Sequence, residues 1–87
     1  MIETDKKKLK EYMILMNEEY FSNEEYEICQ MFPFKKTYVC CLRYKATKEP
    51  MEGGMIAVSP DLKSYVPFSP FGMVNEVGKA AKKGVTL

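Results

Sequence analysis

The stretch that decides the fold is Pro50 to Gly72, PMEGGMIAVSPDLKSYVPFSPFG. Its apolar segment Met55 to Val58 predicts a short buried strand between turn residues. Ser59 to Leu62 fits a type I turn with proline at its second position, and Lys63 to Phe68 then returns as another strand. The pair Ser69-Pro70 predicts a helix start, because serine can cap a helix and proline there has no donor to lose. This stretch therefore contains two strands, a turn and a helix start.

An amphipathic helix is predicted ahead of these strands, from about Thr4 to Tyr20. Its apolar side chains recur at helical spacing, and Thr4 is the expected cap. They are Leu9, Tyr12, Met13, Met16 and Tyr20. Two alternating segments, Tyr26 to Phe32 and Thr37 to Thr47, predict a hairpin whose turn lies after Pro33.

The second of these strands is expected to direct Tyr38, Cys40 and Leu42 into the core. Lys48 to Gly54 is predicted to be a loop, since Gly53-Gly54 permits a sharp reversal. The C-terminal helix should bury a stripe formed by Val74, Val77 and Ala81, and Gly84 is expected to end it.

These elements predict one small globular domain over residues 1–87. The expected class is α+β, in two layers, with an antiparallel sheet of three to four strands and the order α-β-β-β-β-α. Both helices are expected on one face of the sheet. The first strand is expected to place Cys29 and Met31 on the face opposite Ile28.

The composition excludes several kinds of chemistry. The 87 residues carry a net charge of +1 and contain no histidine. A histidine-dependent hydrolase and a histidine-ligated zinc site are therefore excluded. Apolar residues make up 46% and charged residues 29%, as in an ordinary globular protein. No metal site, cofactor or catalytic residue is predicted, and we expect a protein that is not an enzyme.

The three cysteines indicate reduced thiols in the cytoplasm. Cys40 and Cys41 are adjacent, so on a strand they point to opposite faces and cannot readily bond to each other. We expect them to be buried and unreactive. No apolar stretch is long enough for a signal peptide or a membrane span, so we expect a soluble, cytoplasmic protein.

Acidic residues cluster around the end of the first helix, where they oppose the helix dipole. One interpretation is an acidic surface that binds a basic protein partner, and the other is that Lys35, Lys36 or Arg43 folds nearby and neutralises it. The candidate partner-binding residues are Glu18, Glu19, Glu24, Glu25 and Glu27.

Lysines occur at the start of the first helix and near the end of the second. If the helices lie side by side, these lysines form one basic patch that could bind nucleic-acid phosphates. The alternative is that they are solvated surface. The candidate phosphate-binding residues are Lys6, Lys7, Lys8, Lys10, Lys79, Lys82 and Lys83.

Four phenylalanines lie next to prolines at turns, where exposed aromatic side chains can act as binding anchors. They are Phe32, Phe34, Phe68 and Phe71. The alternative is that these aromatic residues, with the seven methionines, fill a small core.

The segment Gly54 to Val66, after a helix and a two-strand hairpin, resembles the YrhB-like domain grouped with bacterial immunity proteins. The family's tryptophan in the first hairpin is replaced by Tyr38, and its asparagine-proline lead-in by Gly53-Gly54. The resemblance implies a small cytosolic protein that inhibits a toxin by binding it, and it implies no catalytic residues. A phage-encoded inhibitor of a host defence protein and a small nucleic-acid-binding protein are the alternatives.

Overall fold

The computed structural model describes residues 2–87 and contains two helices and five strands. In chain order these elements are α1 (Lys6–Tyr20), β1 (Tyr26–Phe34), β2 (Thr37–Tyr44), β3 (Pro50–Val58), β4 (Tyr65–Pro67), α2 (Val74–Ala81) and β5 (Val85–Thr86). The predicted α+β class and the order helix, four strands, helix are confirmed, and a short fifth strand is added. Neither helix of the described chain has the length and apolar composition needed to cross a bilayer.

The five strands form one antiparallel sheet in the order β4-β3-β2-β1-β5. The predicted hairpin joins β1 to β2, with Phe34 opposite Thr37 and only two residues between them. Pro33 lies within β1 and the turn consists of Lys35 and Lys36. Lys35 has a φ of 55°, as tight two-residue turns require. The turn Ser59 to Leu62 is also confirmed, because the Leu62 N–H donates to the Ser59 carbonyl at 2.9 Å.

The helices pack on opposite faces of the sheet, so the expectation of two layers with both helices on one face is wrong. Leu9, Met13 and Met16 of α1 pack with Tyr38, Cys40 and Leu42 of β2, as the sequence predicted for these residues. Val77 of α2 instead packs with Val39, Phe32 and Phe34. Neighbouring strand residues point to opposite faces, so Tyr38 and Val39 belong to different cores. The sheet is therefore the middle of three layers.

A β-bulge in β1 changes the predicted side-chain pattern. The register shifts between Ile28 and Gln30, so Ile28 and Met31 lie in the same α1-side core, contrary to the strict alternation expected. The side chain of Asn17 in α1 holds this bulge. Its Oδ1 accepts from the Ile28 N–H at 2.7 Å and its Nδ2 donates to the Ile28 carbonyl at 3.1 Å. Asn17 thereby gives hydrogen-bond partners to the Ile28 backbone groups, which the short β5 does not pair with.

β3 begins earlier than predicted and replaces most of the expected loop from Lys48 to Gly54. Pro50 pairs with Arg43 and Met55 with Cys41, so a second register shift falls between them. Gly53 has a φ of +68°, and a Cβ on Gly54 would approach the Met51 carbonyl oxygen to 2.8 Å. The two glycines therefore permit a bulged strand and not a loop.

Both helix starts differ from the prediction. Asp5, and not Thr4, caps α1, because its carboxylate accepts from the Lys8 N–H. Ser69-Pro70 begins a turn and not a helix. The Met73 N–H donates to the Pro70 carbonyl at 2.7 Å and closes this turn, and α2 starts only at Val74. Gly72 in this turn has a φ of +80°, which a helix does not allow.

The residues after α2 return along β1. Gly84 lies so close to β1 that an added Cβ would be 2.9 Å from the Phe32 Cα. The role of Gly84 is therefore to let β5 approach β1. It does not end the helix as predicted, because α2 ends at Ala81 with Lys82 as its C-cap, and Gly84 has no positive φ. Within the predicted α2 stripe, Val77 is buried and Ala81 half-buried, but Val74 is 66% exposed.

Val77 and Val74 provide a matched test of the position of α2. Val77→Asp would bury an unpaired carboxylate beneath α2 and should cost more than about 3 kcal/mol, enough to unfold a domain of this size. Val74→Asp changes an exposed residue and should shift stability by less than about 0.5 kcal/mol. Thermal denaturation followed by circular dichroism measures both. Equal melting temperatures for the two variants would contradict the packing of α2 on Val39.

Candidate functional site

An apolar groove lies on the α2 side of the sheet, where α2 leaves β3 and β4 uncovered. Its volume is about 660 Å³. The residues that line it include Cys41, Pro50, Met55, Pro67, Phe68 and Pro70. Phe68 closes the groove toward the core, since its ring packs edge to face on Phe34 at 5.8 Å. The walls carry almost no polar side chains and would suit an apolar ligand surface.

Phe71 is the most exposed large apolar side chain of the described residues, at 91%. It follows the groove residue Pro70 in the turn before α2, and the exposed Val74 comes three residues later. The Met73–Pro70 hydrogen bond orders the backbone of this turn, so Phe71 is presented on an ordered loop. An exposed aromatic ring on an ordered turn is typical of a binding anchor. Of the four candidate phenylalanines, Phe32 and Phe34 are buried, Phe68 is half-buried and only Phe71 is exposed.

The thiols are covered by the sheet and its side chains. Cys40 is completely buried, and burial raises its pKa far above the ordinary value. Burial also raises the pKa of Cys29 and of Cys41, both half-buried, and the Cys29 Sγ lies 3.4 Å from the Cys41 carbonyl oxygen as a donor. These thiols are protonated at neutral pH, which makes them poor nucleophiles and poor metal ligands. No cluster of metal-ligating side chains occurs within residues 2–87.

Four of the five candidate acids are exposed at one end of the molecule. Glu18 and Glu19 lie in the last turn of α1, and Glu24 and Glu25 lie in the connection to β1. We call these four residues the acidic end. The Glu24 carboxylate is the main reason that the pKa of Tyr26 is raised, since a negative charge disfavours the phenolate.

Glu27, the fifth candidate acid, is engaged inside the protein. Its carboxylate accepts from Arg43 Nε at 2.8 Å and from Lys48 Nζ at 3.2 Å, and only 16% of its side chain is exposed. Partial burial alone would raise the pKa of Glu27, but the hydrogen bonds and charges of Arg43 and Lys48 outweigh it and lower the pKa below its ordinary value. The structure therefore gives Glu27 an internal role in joining β1, β2 and the following loop.

Lys45 relieves the unfavourable charge at the end of α1. Its ammonium group donates to the carbonyl oxygens of Phe21 at 2.6 Å and Ser22 at 3.4 Å, where the helix dipole is negative. Of the residues that the sequence offered to neutralise the acidic cluster, Arg43 pairs with Glu27, whereas Lys35 and Lys36 make no ion pair with these acids among the described residues. The sequence did not single out Lys45. Lys45 follows β2 in the chain, so only the pairing of β2 with β1 brings it to the helix end.

The candidate lysines do not form the single patch that the sequence suggested. That patch required α1 and α2 to lie side by side, and they lie on opposite faces of the sheet. All seven lysines are exposed. Those of α1 occupy the hairpin end of the sheet, since the Glu3 N–H that precedes them donates to the Tyr38 hydroxyl at 2.7 Å. Those of α2 lie near the β5 edge.

Comparison of the chain with protein-family models, with curated proteins and with solved structures found no match.

A pH-dependent test separates the internal role of Glu27 from a binding role. Glu27→Gln should lower stability at pH 7 by about 1–2 kcal/mol, because hydrogen bonds to charged groups are lost. The pKa of Glu27 is lower in the folded protein than the 4.5 of the unfolded chain, so its carboxylate stabilises the fold fully above pH 4.5. This stabilisation is lost as the pH falls through the folded pKa, because the carboxylate is then protonated in both states. The difference in melting temperature between wild type and variant should therefore be about 4–8 °C per kcal/mol at pH 7 and become steadily smaller as the pH falls below 4.5.

The control for this experiment is Glu25→Gln, which changes an exposed acid that makes no ion pair among the described residues. Its melting temperature should follow the wild type at every pH. A difference between wild type and Glu27→Gln that persists undiminished at pH 3 would contradict the ion-pair explanation.

Proposed function

We propose that this chain is a non-enzymatic inhibitor that binds a protein partner, as an immunity protein binds its toxin. The observation that carries the proposal is the apolar surface made by Phe71, Val74 and the adjoining groove on the α2 side. Exposing a phenylalanine forgoes about 1.5–3 kcal/mol of burial, and a partner with an apolar cleft recovers that free energy on binding. The partner to which we commit has such a cleft for the Phe71 ring.

The site chemistry supports binding over catalysis. Protonated, covered thiols and the lack of histidine leave no side chain near the groove that could act as an efficient nucleophile or base at neutral pH. The groove supplies shape and apolar contact, and an inhibitor needs only these to occupy a partner's surface. A toxin and a host defence protein are both compatible partners, and the immunity-type function is the one proposed here.

The acidic end indicates that the proposed partner carries positive charge on the surface that it presents. Glu18, Glu19, Glu24 and Glu25 carry four negative charges without an ion pair among residues 2–87. Such a field attracts a basic protein during the approach and increases the association rate more than the final affinity. The proposal therefore assigns affinity to Phe71 and steering to the acidic end.

Truncation of the anchor tests the binding surface. Phe71→Ala should weaken partner binding by at least about tenfold, since central aromatic anchors are worth about 2 kcal/mol or more. The control is Leu15→Ala, which removes a 57% exposed apolar side chain from α1 on the opposite face. Both variants should fold like the wild type. The partner is first identified by co-purification and by testing the product of the adjacent gene, and its affinity is then measured by calorimetry with purified proteins.

Inhibition must accompany binding. Expression of the partner alone should impair growth or show a measurable activity, and co-expression of this chain should abolish that effect. Phe71→Ala should protect poorly and Leu15→Ala should protect fully. Equal protection by both variants would exclude the groove side as the binding surface, and a bound partner whose activity is unchanged would refute inhibition.

Charge reversal tests the steering role separately. Glu18→Lys, Glu19→Lys and Glu24→Lys, combined in one variant, should reduce the association rate with the purified partner and remove its dependence on salt. The dissociation rate should change little, because these side chains are exposed. Stopped-flow kinetics at two salt concentrations measures both rates. An unchanged association rate in the folded variant would contradict the acidic end as part of the interaction.

A further inference from the structure

The structure brings together a group of lysines that are distant in the sequence. The Glu3–Tyr38 hydrogen bond places the start of α1 at the hairpin end of the sheet, where the β1–β2 turn also lies. Tyr12 of α1 packs edge to face on the same Tyr38 ring at 6.1 Å. We define the basic end as the exposed lysines at the start of α1 and in the β1–β2 turn, which are Lys6, Lys7, Lys8, Lys10, Lys35 and Lys36. The turn extends this surface to the α2 side of the sheet, because Lys35 Nζ lies 5.4 Å from the Phe34 ring centroid and 3.9 Å from Met73 Sδ.

The charge of the basic end is not neutralised within the described chain. Both ion pairs of residues 2–87 involve Glu27, near the other end of β1. Three acids accompany the six lysines, and two of them, Glu3 and Asp5, accept hydrogen bonds from backbone amides at the helix start. The third is Glu11. The β3–β4 turn carries Asp61 and Lys63, whose charges cancel, and it contacts the last turn of α1, where the Tyr20 hydroxyl donates to the Leu62 carbonyl at 2.7 Å. The positive end of the α1 dipole adds to the charge of the basic end.

We propose that the basic end binds the phosphate backbone of duplex nucleic acid without reading its sequence. Lysines are flexible point charges that suit phosphates, and groups of them supply the salt-dependent part of nucleic-acid affinity. The two lysine groups belong to different elements, and one hydrogen bond and one aromatic contact attach the start of α1 to the strand that follows the turn. This inference does not rest on the inhibitor proposal, since it depends on charge and not on the apolar anchor Phe71, although Lys35 borders that surface through Met73.

Single strands and membranes fit this surface less well. Tyr38 is 1% exposed and Tyr12 is half-buried against it, so neither ring is free to stack on an unpaired base. On α1 the exposed Ile14 and Leu15 lie one helical turn from Glu11 and Glu18, which would repel an anionic lipid surface. Duplex phosphates are therefore the favoured ligand.

The test measures binding of a fluorescein-labelled 20-base-pair DNA duplex by anisotropy. Raising the salt from 50 to 200 mM should lower the affinity by about 100- to 1,000-fold, as expected for four to six phosphate contacts. Lys35→Glu with Lys36→Glu should weaken binding at least tenfold at 50 mM salt and reduce the salt slope by about 2. Circular dichroism checks that this variant is folded.

The matched control is Lys79→Glu with Lys82→Glu, which makes the same change in net charge on α2. It should bind the duplex within about twofold of the wild type at 200 mM salt, where long-range effects are screened. Phe71→Ala should also bind normally, which separates failure of this inference from failure of the inhibitor proposal. Absence of duplex binding at 50 mM salt, or an equal loss in the α2 control, would overturn the assignment.

A single-stranded oligonucleotide and anionic vesicles test whether the duplex is the preferred ligand. A single-stranded 20-mer should bind more weakly than the duplex, and tighter binding would refute the duplex assignment. Vesicles containing 30% phosphatidylserine should bind more weakly than the duplex at the same salt concentration. Binding to vesicles without binding to the duplex would refute the inference.

Discussion

The β1–β2 hairpin is apolar on both faces, and the rest of the structure depends on this constraint. Tyr38 and Val39 are neighbours in β2, and both are almost completely buried on opposite sides of the sheet. A strand with apolar side chains on both faces must be shielded from water on both faces, and α1 and α2 each shield one of them. α2 packs mainly over β1, with Val77 on Phe32, Phe34 and Val39. The uncovered groove over β3 and β4 therefore follows from the position of α2 at the β1 side of the sheet.

The charges of the molecule are separated along α1, which runs antiparallel to β1. Its start lies near the hairpin turn, and its end lies beside Lys45 after β2 and against Leu62 of the β3–β4 turn. Fifteen helical residues separate the two ends by about 22 Å, more than twice the distance over which salt screens exposed charges. The basic and acidic ends can thus bind different partners without affecting each other strongly. Asp5 and Lys45 offset the unfavourable orientation of these charges against the helix dipole.

The proposed interactions use surfaces with different physical characters. The groove and Phe71 offer apolar area, which gives affinity for a protein cleft but little for phosphates. The basic end offers charge without apolar area or free aromatic rings, which suits a phosphate backbone. The thiols add no reactivity to either surface, since burial keeps them protonated, and Cys41 contributes to the groove only as a lining side chain. The two proposed surfaces meet at Lys35, whose ammonium group lies 3.9 Å from Met73 Sδ, but they offer different kinds of contact.

The sequence by itself determined the elements that depend on local spacing: the α1 stripe of Leu9, Met13 and Met16, the hairpin, and the turn at Pro60. It did not reveal β5 or the early start of β3, because those depend on pairing with β1 and β2. Phe71 was among four phenylalanines that local context could not separate, since exposure depends on what packs above each ring. Only the tertiary structure decided which face each helix covers, because Val39 and Cys41 look like an outward row until Val77 packs near them. It also decided the bulges at Cys29 and Gly53, and the partners of Glu27 and Lys45. Those contacts join residues 16 to 24 positions apart, and strand pairing, which local pattern does not encode, brings them together.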